Sequence, residues 1–172
     1  MSIFDLFKKK TKPEIEDEDE EDEGEEMAVA PSDSDVLICD TYEAICQKCE
    51  YGEAVEKLNS CEKVLYLTQI VEEEVNNGGF SQFFYNSSGD FAGEIVDAFT
   101  KIGALKTAKI CQKAVTVFGN TVPVCREQRQ ALLENPKFEK VFEKCDDAFY
   151  EYEDDLEELN AAYIRNHREF FN

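Results

Sequence analysis

Residues 72–86 read EEEVNNGGFSQFFYN and decide how the middle of the chain folds. Upstream of them, apolar residues recur at the spacing of one helix face: Val64, Leu67, Val71 and Val75. Ser60 is expected to cap that helix, and Gly78-Gly79 to end it, because glycine adopts a left-handed conformation without a Cβ penalty. Residues 80–85 then form a further helical turn or two, with their phenylalanines plugging the core beside the chain reversal.

Helical spacing continues outward from this stretch. Residues 35–50 are predicted to form the first helix, and Ser87 or Ser88 to cap a helix that Gly103 ends. The spacing of apolar residues from Leu105 to Phe118 predicts another helix, which Gly119 ends. A hairpin is the alternative there, since Gly119-Asn120 lies between two apolar runs. Pro123 argues against the hairpin, because proline has no backbone N–H to donate to the partner strand. The uninterrupted helical spacing before it favours the helix.

The last third of the chain predicts two short helices over 128–134 and 137–144, then a long helix from about Asp147 to Glu169. Heptad-like spacing supports the long helix: Phe149, Tyr152, Leu156, Leu159, Tyr163 and Phe170. The predicted fold class is all-α, a compact bundle of roughly six to eight helices with a long C-terminal helix.

Charge divides the chain in two. Residues 1–34 form a predicted disordered acidic head and linker, in which 11 of the 13 residues from Glu14 to Glu26 are acidic. Residues 35–172 form the predicted all-α domain. A net charge of −21 argues against direct binding of nucleic acid or anionic membrane, which both need basic residues. The charge favours a basic partner, a cation, or a solubility role alone.

The sequence contains few features that are typical of a catalytic or metal-binding site. The seven cysteines, in a chain without an export signal, indicate reduced thiols and a cytoplasmic location. Cys46-x-x-Cys49 has a zinc-ligand spacing but no second ligand pair, so buried thiols are the preferred interpretation. The only histidine, His167, lies between arginines at the end of a predicted helix, where the macrodipole favours a cation. No enzyme motif is present, and neither a metal nor another cofactor is predicted.

The stretch around the paired glycines resembles the hallmark of a bacterial family of domains of unknown function, one member of which is described as a DNA-mimic protein. The family pattern E-V-x-N-G-G-F-x-Q-F/Y-F-x-N is matched at ten positions: Glu74, Val75, Asn77, Gly78, Gly79, Phe80, Gln82, Phe83, Phe84 and Asn86. The resemblance covers about residues 35–172. It implies an all-α domain and, for at least one relative, acidic groups presented to a DNA-binding protein.

The motif also has a purely structural interpretation, in which the glycines reverse the chain while Gln82 and Asn86 satisfy backbone groups freed at the helix ends. A ligand pocket is the less favoured alternative. The predicted structural set is Glu74, Asn77, Gly78, Gly79, Phe80, Gln82 and Asn86.

A DNA mimic needs a dense acidic face. Residues 139–158 hold ten acids and two lysines. A continuous helix of that length spans about 30 Å, where B-DNA carries about 18 charges, so a second row of acids is required. The predicted partner-binding residues are Glu151, Glu153, Asp154, Asp155, Glu157 and Glu158, with Glu72, Glu73, Asp90, Glu94 and Asp97 as the second row. A merely solvated acidic face is the alternative.

From these observations the sequence predicts a non-enzymatic acidic protein-binding module that mimics DNA and occupies the basic surface of a DNA-binding regulator or nuclease. The alternatives are an immunity-type inhibitor of a toxin, or a small metal-binding or enzymatic domain. The oligomeric state is not predicted.

Overall fold

The computed structural model describes residues 30–171 as an all-α bundle without a strand in that range. Its helices are α1 (Asp33–Lys48), α2 (Ser60–Tyr85), α3 (Ile95–Ile102), α4 (Leu105–Thr116), α5 (Arg126–Leu133), α6 (Pro136–Tyr150) and α7 (Leu156–Asn166). The predicted fold class is confirmed, and helix rather than hairpin forms up to Thr116. The prediction for residues 1–34 falls almost entirely outside the described residues.

Side-chain caps start the first two helices. Ser32 accepts from the backbone N–H of Asp35, whose carboxylate accepts from the Ser32 N–H in return, which makes a capping box. Asn59, not Ser60, caps α2, since its Oδ1 accepts from the N–H of Cys61 at 2.9 Å. The prediction that Ser87 or Ser88 caps the next helix was also wrong. A 3₁₀ turn occupies Ser87–Phe91, and α3 starts at Ile95 without a side-chain cap.

Helix α2 breaks where the paired glycines predicted a stop. Gly79 has φ 74° and ψ −179°, a backbone conformation essentially reserved for glycine. Two α6 side chains, one turn apart, satisfy backbone groups at the break. Asp146 Oδ1 accepts from the Phe80 N–H at 2.8 Å, and the Tyr150 hydroxyl donates to the Val75 carbonyl at 2.8 Å. The second part of α2 is thereby redirected along α6.

The prediction of one long C-terminal helix from about Asp147 to Glu169 was wrong. Helix α6 ends at Tyr150, and α7 begins only at Leu156. Tyr152, between them, has φ 44° and leaves the helical conformation. Asp155 caps α7 by accepting from the Glu158 N–H at 3.0 Å, which favours a new helix start over continuation. The acids of this segment are therefore divided between two helices and their connection, instead of extending along 30 Å of one helix.

The core lies around α2, which packs against α1, α3, α5 and α6. The predicted core position of its phenylalanines is confirmed, since Phe80, Phe83 and Phe84 are all fully buried. Phe84 stacks on Phe142 of α6 with ring centroids 5.1 Å apart. Leu105, the first residue of α4, is 55% exposed.

Candidate protein-binding surface

The glycine-containing motif forms a closed hydrogen-bond network inside the fold. Glu74 accepts from Gln82 Nε2 at 2.7 Å, from Asn86 Nδ2 at 2.9 Å and from Ser88 Oγ at 2.8 Å. The Glu74 carboxylate in this way ties the part of α2 before the break to the part after it. Gly79 itself lies against Asp146, so that a Cβ there would approach Asp146 Oδ2 to 2.4 Å. These contacts support a structural role for the motif. The predicted contacts of Gln82 and Asn86 were wrong, because both side chains donate to the Glu74 carboxylate and not to backbone groups at the helix ends.

Arg129 of α5 is a structural centre that the sequence analysis missed. Its guanidinium is fully buried and donates to the carbonyls of Phe84, Asn86, Pro123 and Val124 at 2.8–2.9 Å. It also pairs with Asp90 at 2.6 Å. Asp90, predicted to bind a partner, therefore has a structural role beside α5. Nothing in the local sequence distinguishes Arg129 from the exposed Arg126 three residues earlier.

Contacts of Ser32, Ser34 and Tyr152 link acids of α1, α2 and α7. We call these acids, together with their sequence neighbours in α1 and in the end of α6 and the α6–α7 connection, the acidic edge: Asp33, Asp35, Glu72, Asp147, Glu151, Glu153, Asp154, Asp155, Glu157 and Glu158. Two serines at the start of α1, the N-cap Ser32 and Ser34, join that helix to α7. Ser34 Oγ donates to Glu158 Oε2 at 2.9 Å, and Ser32 Oγ donates to Glu157. Tyr152 joins the α6–α7 connection to α2 by donating to Glu72 at 3.1 Å.

Several of the predicted partner-binding acids at this edge support the fold. Asp154 caps α4 from outside that helix, since its Oδ2 accepts from the backbone N–H groups of Lys106 and Thr107, both at 2.8 Å. Asp155 caps α7. Asp154, predicted to bind a partner, therefore also has a structural role, because residues 47 and 48 positions away in sequence donate to its carboxylate.

Other acids of the edge are paired with cations. Glu153 pairs with Lys106 at 2.8 Å, and Glu158 pairs with Arg165 at 2.9 Å. Both pairs are solvent-exposed, so each contributes little to stability and either carboxylate can exchange its partner for another cation.

Asp147 and Glu151 at the end of α6 are different. Both are exposed, and within residues 30–171 neither takes part in an ion pair. The sequence analysis placed Asp147 near the start of the predicted long helix. Its position in the last turn of a helix became evident when the boundary of α6 was known.

The second row of predicted acids is not brought together. Glu72 lies at the acidic edge, whereas Glu73 accepts from the Tyr42 hydroxyl at 3.4 Å. Glu94 pairs with Lys63 of α2, and Asp97 with Lys101 one turn along α3. These contacts distribute the row over separate parts of the bundle.

No group of three or more His, Cys, Asp or Glu residues within 30–171 has an arrangement suited to a metal ion. None of the seven cysteines is in a disulfide. Burial raises the pKa of Cys46 to about 11, which disfavours its metal-binding thiolate form. His167 caps the end of α7, with Nδ1 2.9 Å from the Tyr163 carbonyl. No helix of the described part has both the length and the apolarity needed to cross a membrane.

Comparison with known proteins identifies the family. Residues 56–167, about two thirds of the chain, match the family described as DMP19-like protein. It is the DNA-mimic-containing family that the motif around Gly78 and Gly79 resembles. No curated protein and no solved structure gives a match. With this match over most of its folded domain, the chain belongs to the DMP19-like protein family.

Proposed function

We propose that this protein is a non-enzymatic binding module whose acidic edge occupies the basic, DNA-binding surface of another protein. Membership of a DNA-mimic-containing family supports this function, as do the contacts that link acids of α1, α2 and α7 next to the acidic α6–α7 connection. The partner would be a basic DNA-binding regulator or nuclease, met in the cytoplasm.

The observation that carries the proposal is the placement of Asp147 and Glu151 at the C-terminal end of α6. The carbonyl end of a helix has a partial negative charge, so an acid there is disfavoured by about 0.3–1 kcal/mol. No basic residue lies in the last turn of α6 to offset it. Neither acid takes part in an ion pair within residues 30–171, so a cationic partner could pair with both.

The remainder of the edge supplies a fixed charge pattern around them. Caps at Asp35, Asp154 and Asp155 hold the backbone of three segments in place. A partner meets carboxylates at set positions, which distinguishes this surface from a flexible polyanion of the same charge. Complementary charge speeds association and gives specificity more than it adds raw affinity.

The test is competition with DNA. The full-length protein is immobilised, basic proteins are captured from native lysate, and each is measured for binding in increasing salt and with its own duplex DNA as competitor. We expect affinity to fall steeply through the physiological salt range, and DNA to displace the module. Asp147→Lys with Glu151→Lys should weaken binding by about tenfold or more, while the helical spectrum is retained, since the dipole favours lysine at this end of α6.

The matched control is Glu56→Lys with Glu134→Lys, which changes the net charge equally at two exposed sites outside the acidic edge. We expect this pair to weaken binding much less. Equal losses in both double variants would mean that net charge, not the acidic edge, attracts the partner. Binding that DNA cannot displace would refute the mimic function itself.

A further inference from the structure

We propose that Tyr150 and Tyr152 make the acidic edge selective for arginine: arginine side chains of the partner stack on these two rings and pair with the neighbouring Asp147 and Glu151. This inference rests on the proposed function and names the kind of basic group that the acidic edge selects. Tyr150 is the last residue of α6, and Tyr152 lies in the α6–α7 connection, residues 151–155.

Two aromatic side chains are exposed among these acids. Tyr150 is 45% exposed and Tyr152 is 42% exposed, whereas Phe149 beside them is buried in the core. Tyrosine and arginine are enriched at protein interfaces, where they carry much of the binding energy. The end of α6 therefore presents to a partner not only carboxylates but also aromatic surface.

Hydrogen bonds to one turn of α2 hold both phenols in place. The Tyr150 hydroxyl donates to the Val75 carbonyl at 2.8 Å. The Tyr152 hydroxyl donates to Glu72 at 3.1 Å and accepts from Asn76 Nδ2 at 2.5 Å. Because each hydroxyl is bonded to α2, each ring keeps a fixed position with part of its surface open to solvent. A partner then loses little free energy in ordering these side chains.

The backbone at Tyr152 gives a second, independent reason to expect a function there. Its φ of 44° is left-handed, which is unfavourable for a residue with a bulky side chain. Asp154 and Asp155, which cap α4 and α7, hold the chain that follows in place, so the fold maintains this conformation. Backbone strain of this kind is concentrated at functional sites, ligand-binding sites among them.

Carboxylates lie next to both rings. Asp147 is three residues before Tyr150 on the same face of α6, and Glu151 lies between the two tyrosines in sequence. Burial, and then the charges of Asp146 and Asp147, raises the pKa of Tyr150, which places these acids near its phenol. Within residues 30–171 neither Asp147 nor Glu151 takes part in an ion pair.

The protein's own cations do not occupy the two rings. Within the described range the cation–π contacts are made by lysines on other rings, Lys63 on Phe91 and Lys137 on Phe138. Tyr150 and Tyr152 are thus available to a cation of the partner.

Arginine suits a ring beside a carboxylate better than lysine does. Its guanidinium is planar and weakly hydrated, so it stacks on an aromatic ring while its N–H groups donate to a carboxylate. The ammonium of lysine is a compact, strongly hydrated charge and gains less from the ring. A cation–π contact at an exposed site corresponds to about a two- to fivefold gain in affinity.

The test is an NMR titration of the full-length protein, labelled with carbon-13 in its tyrosine rings. The chain has seven tyrosines, so the signals of Tyr150 and Tyr152 can be assigned from their loss in Tyr150→Leu and Tyr152→Leu. Two synthetic peptides are the probes: in one, arginine alternates with glycine, and in the other lysine replaces each arginine. Dissociation constants are taken from the two ring signals, which report this site whatever else a peptide contacts.

We expect the arginine peptide to bind about two- to fivefold more tightly than the lysine peptide. Its δ-methylene protons should show nuclear Overhauser contacts to the rings of Tyr150 and Tyr152. Tyr152→Leu, followed by the Tyr150 signal, should weaken binding of the arginine peptide by a similar factor and reduce the preference over lysine. Tyr85→Leu is the matched control and should retain the preference, since Tyr85 is 55% exposed at the end of α2, outside the acidic edge.

Equal dissociation constants for the two peptides, or no proton contacts from arginine to either ring, would refute the arginine selectivity. The proton contacts are measured in the wild type, so they decide the question even if Tyr152→Leu does not fold. Asp147→Lys with Glu151→Lys then separates the two proposals. Loss of peptide binding in that variant would leave the acidic edge as the surface for a basic partner, whereas unchanged binding would contradict the proposed function as well.

Discussion

At the scale of single residues, two polar side chains connect parts of the chain that are distant in sequence. Arg129 joins α5 to the end of α2 through four carbonyls and Asp90. Asp154 joins the α6–α7 connection to the start of α4. Each satisfies groups that would otherwise be buried or left at a helix end without a partner.

Removing Arg129 should therefore be costly. Arg129→Met keeps much of the side-chain volume but leaves several carbonyls and a carboxylate without their donor. We expect the free energy of unfolding to fall by about 3 kcal/mol or more. Urea unfolding followed by circular dichroism measures the change.

The control is Arg126→Met on the same helix, where the side chain is exposed. It should change stability by less than about 0.5 kcal/mol. Comparable losses in the two variants would contradict the structural role of Arg129.

At the scale of helices, the break in α2 and the end of α6 set the architecture. Asp146 and Tyr150, one turn apart on α6, each satisfy one backbone group freed by the break. The break is thus a packed tertiary feature, and glycine is needed at position 79 for two separate reasons: its positive φ and the nearby carboxylate.

Gly79→Ala tests this reasoning. A Cβ at position 79 would lie 2.4 Å from Asp146 Oδ2, and the φ of 74° is unfavourable for alanine. We expect a loss of about 2 kcal/mol or more in the free energy of unfolding. Gly93→Ala is the matched control, because nothing lies within 4 Å of a Cβ there. A stabilised or unchanged Gly79→Ala would show that the break is not held as described.

Local signals account for what could be predicted at this scale. Apolar spacing and paired glycines indicated α2 and its break, because both act within a few residues. The end of α6 could not be predicted this way. The heptad-like series runs through Tyr152 without interruption, and the reasons to leave the helix are the distant partners of Tyr152 and Asp154. The structural roles of Asp154 and Asp90 could not be predicted for the same reason. Their partners, the start of α4 and Arg129, are distant in sequence, so both residues resemble free surface acids in the sequence.

At the scale of the whole molecule, charge and burial act together on stability. The chain has a net charge of −21, and two half-buried carboxyls carry no cationic partner within residues 30–171. Burial raises the pKa of Glu72 to about 7 and that of Asp146 to about 6. The folded domain therefore binds protons that the unfolded chain releases in mildly acidic solution.

This sets the direction of the pH dependence. Between the ordinary pKa values of these carboxyls and their raised values, the folded state holds more protons, so stability falls as pH rises from about 4 to about 7. For Glu72, a shift from 4.5 to about 7 corresponds to at most about 3 kcal/mol. Self-repulsion of the acidic chain acts in the same direction.

The measurement is the free energy of urea unfolding at pH steps between 5 and 8. Glu72→Gln should flatten the upper part of the profile, toward pH 7, and Asp146→Asn the lower part, toward pH 6, because each removes one titrating group while keeping a side-chain oxygen to accept its hydrogen bond. Glu151→Gln, an exposed carboxylate without an ion pair in the described part, should retain the wild-type slope. A wild-type stability that increases through this range, as salt-bridged carboxylates would produce, would mean that Glu72 and Asp146 are ionised in the folded domain and that their burial does not control its response to pH.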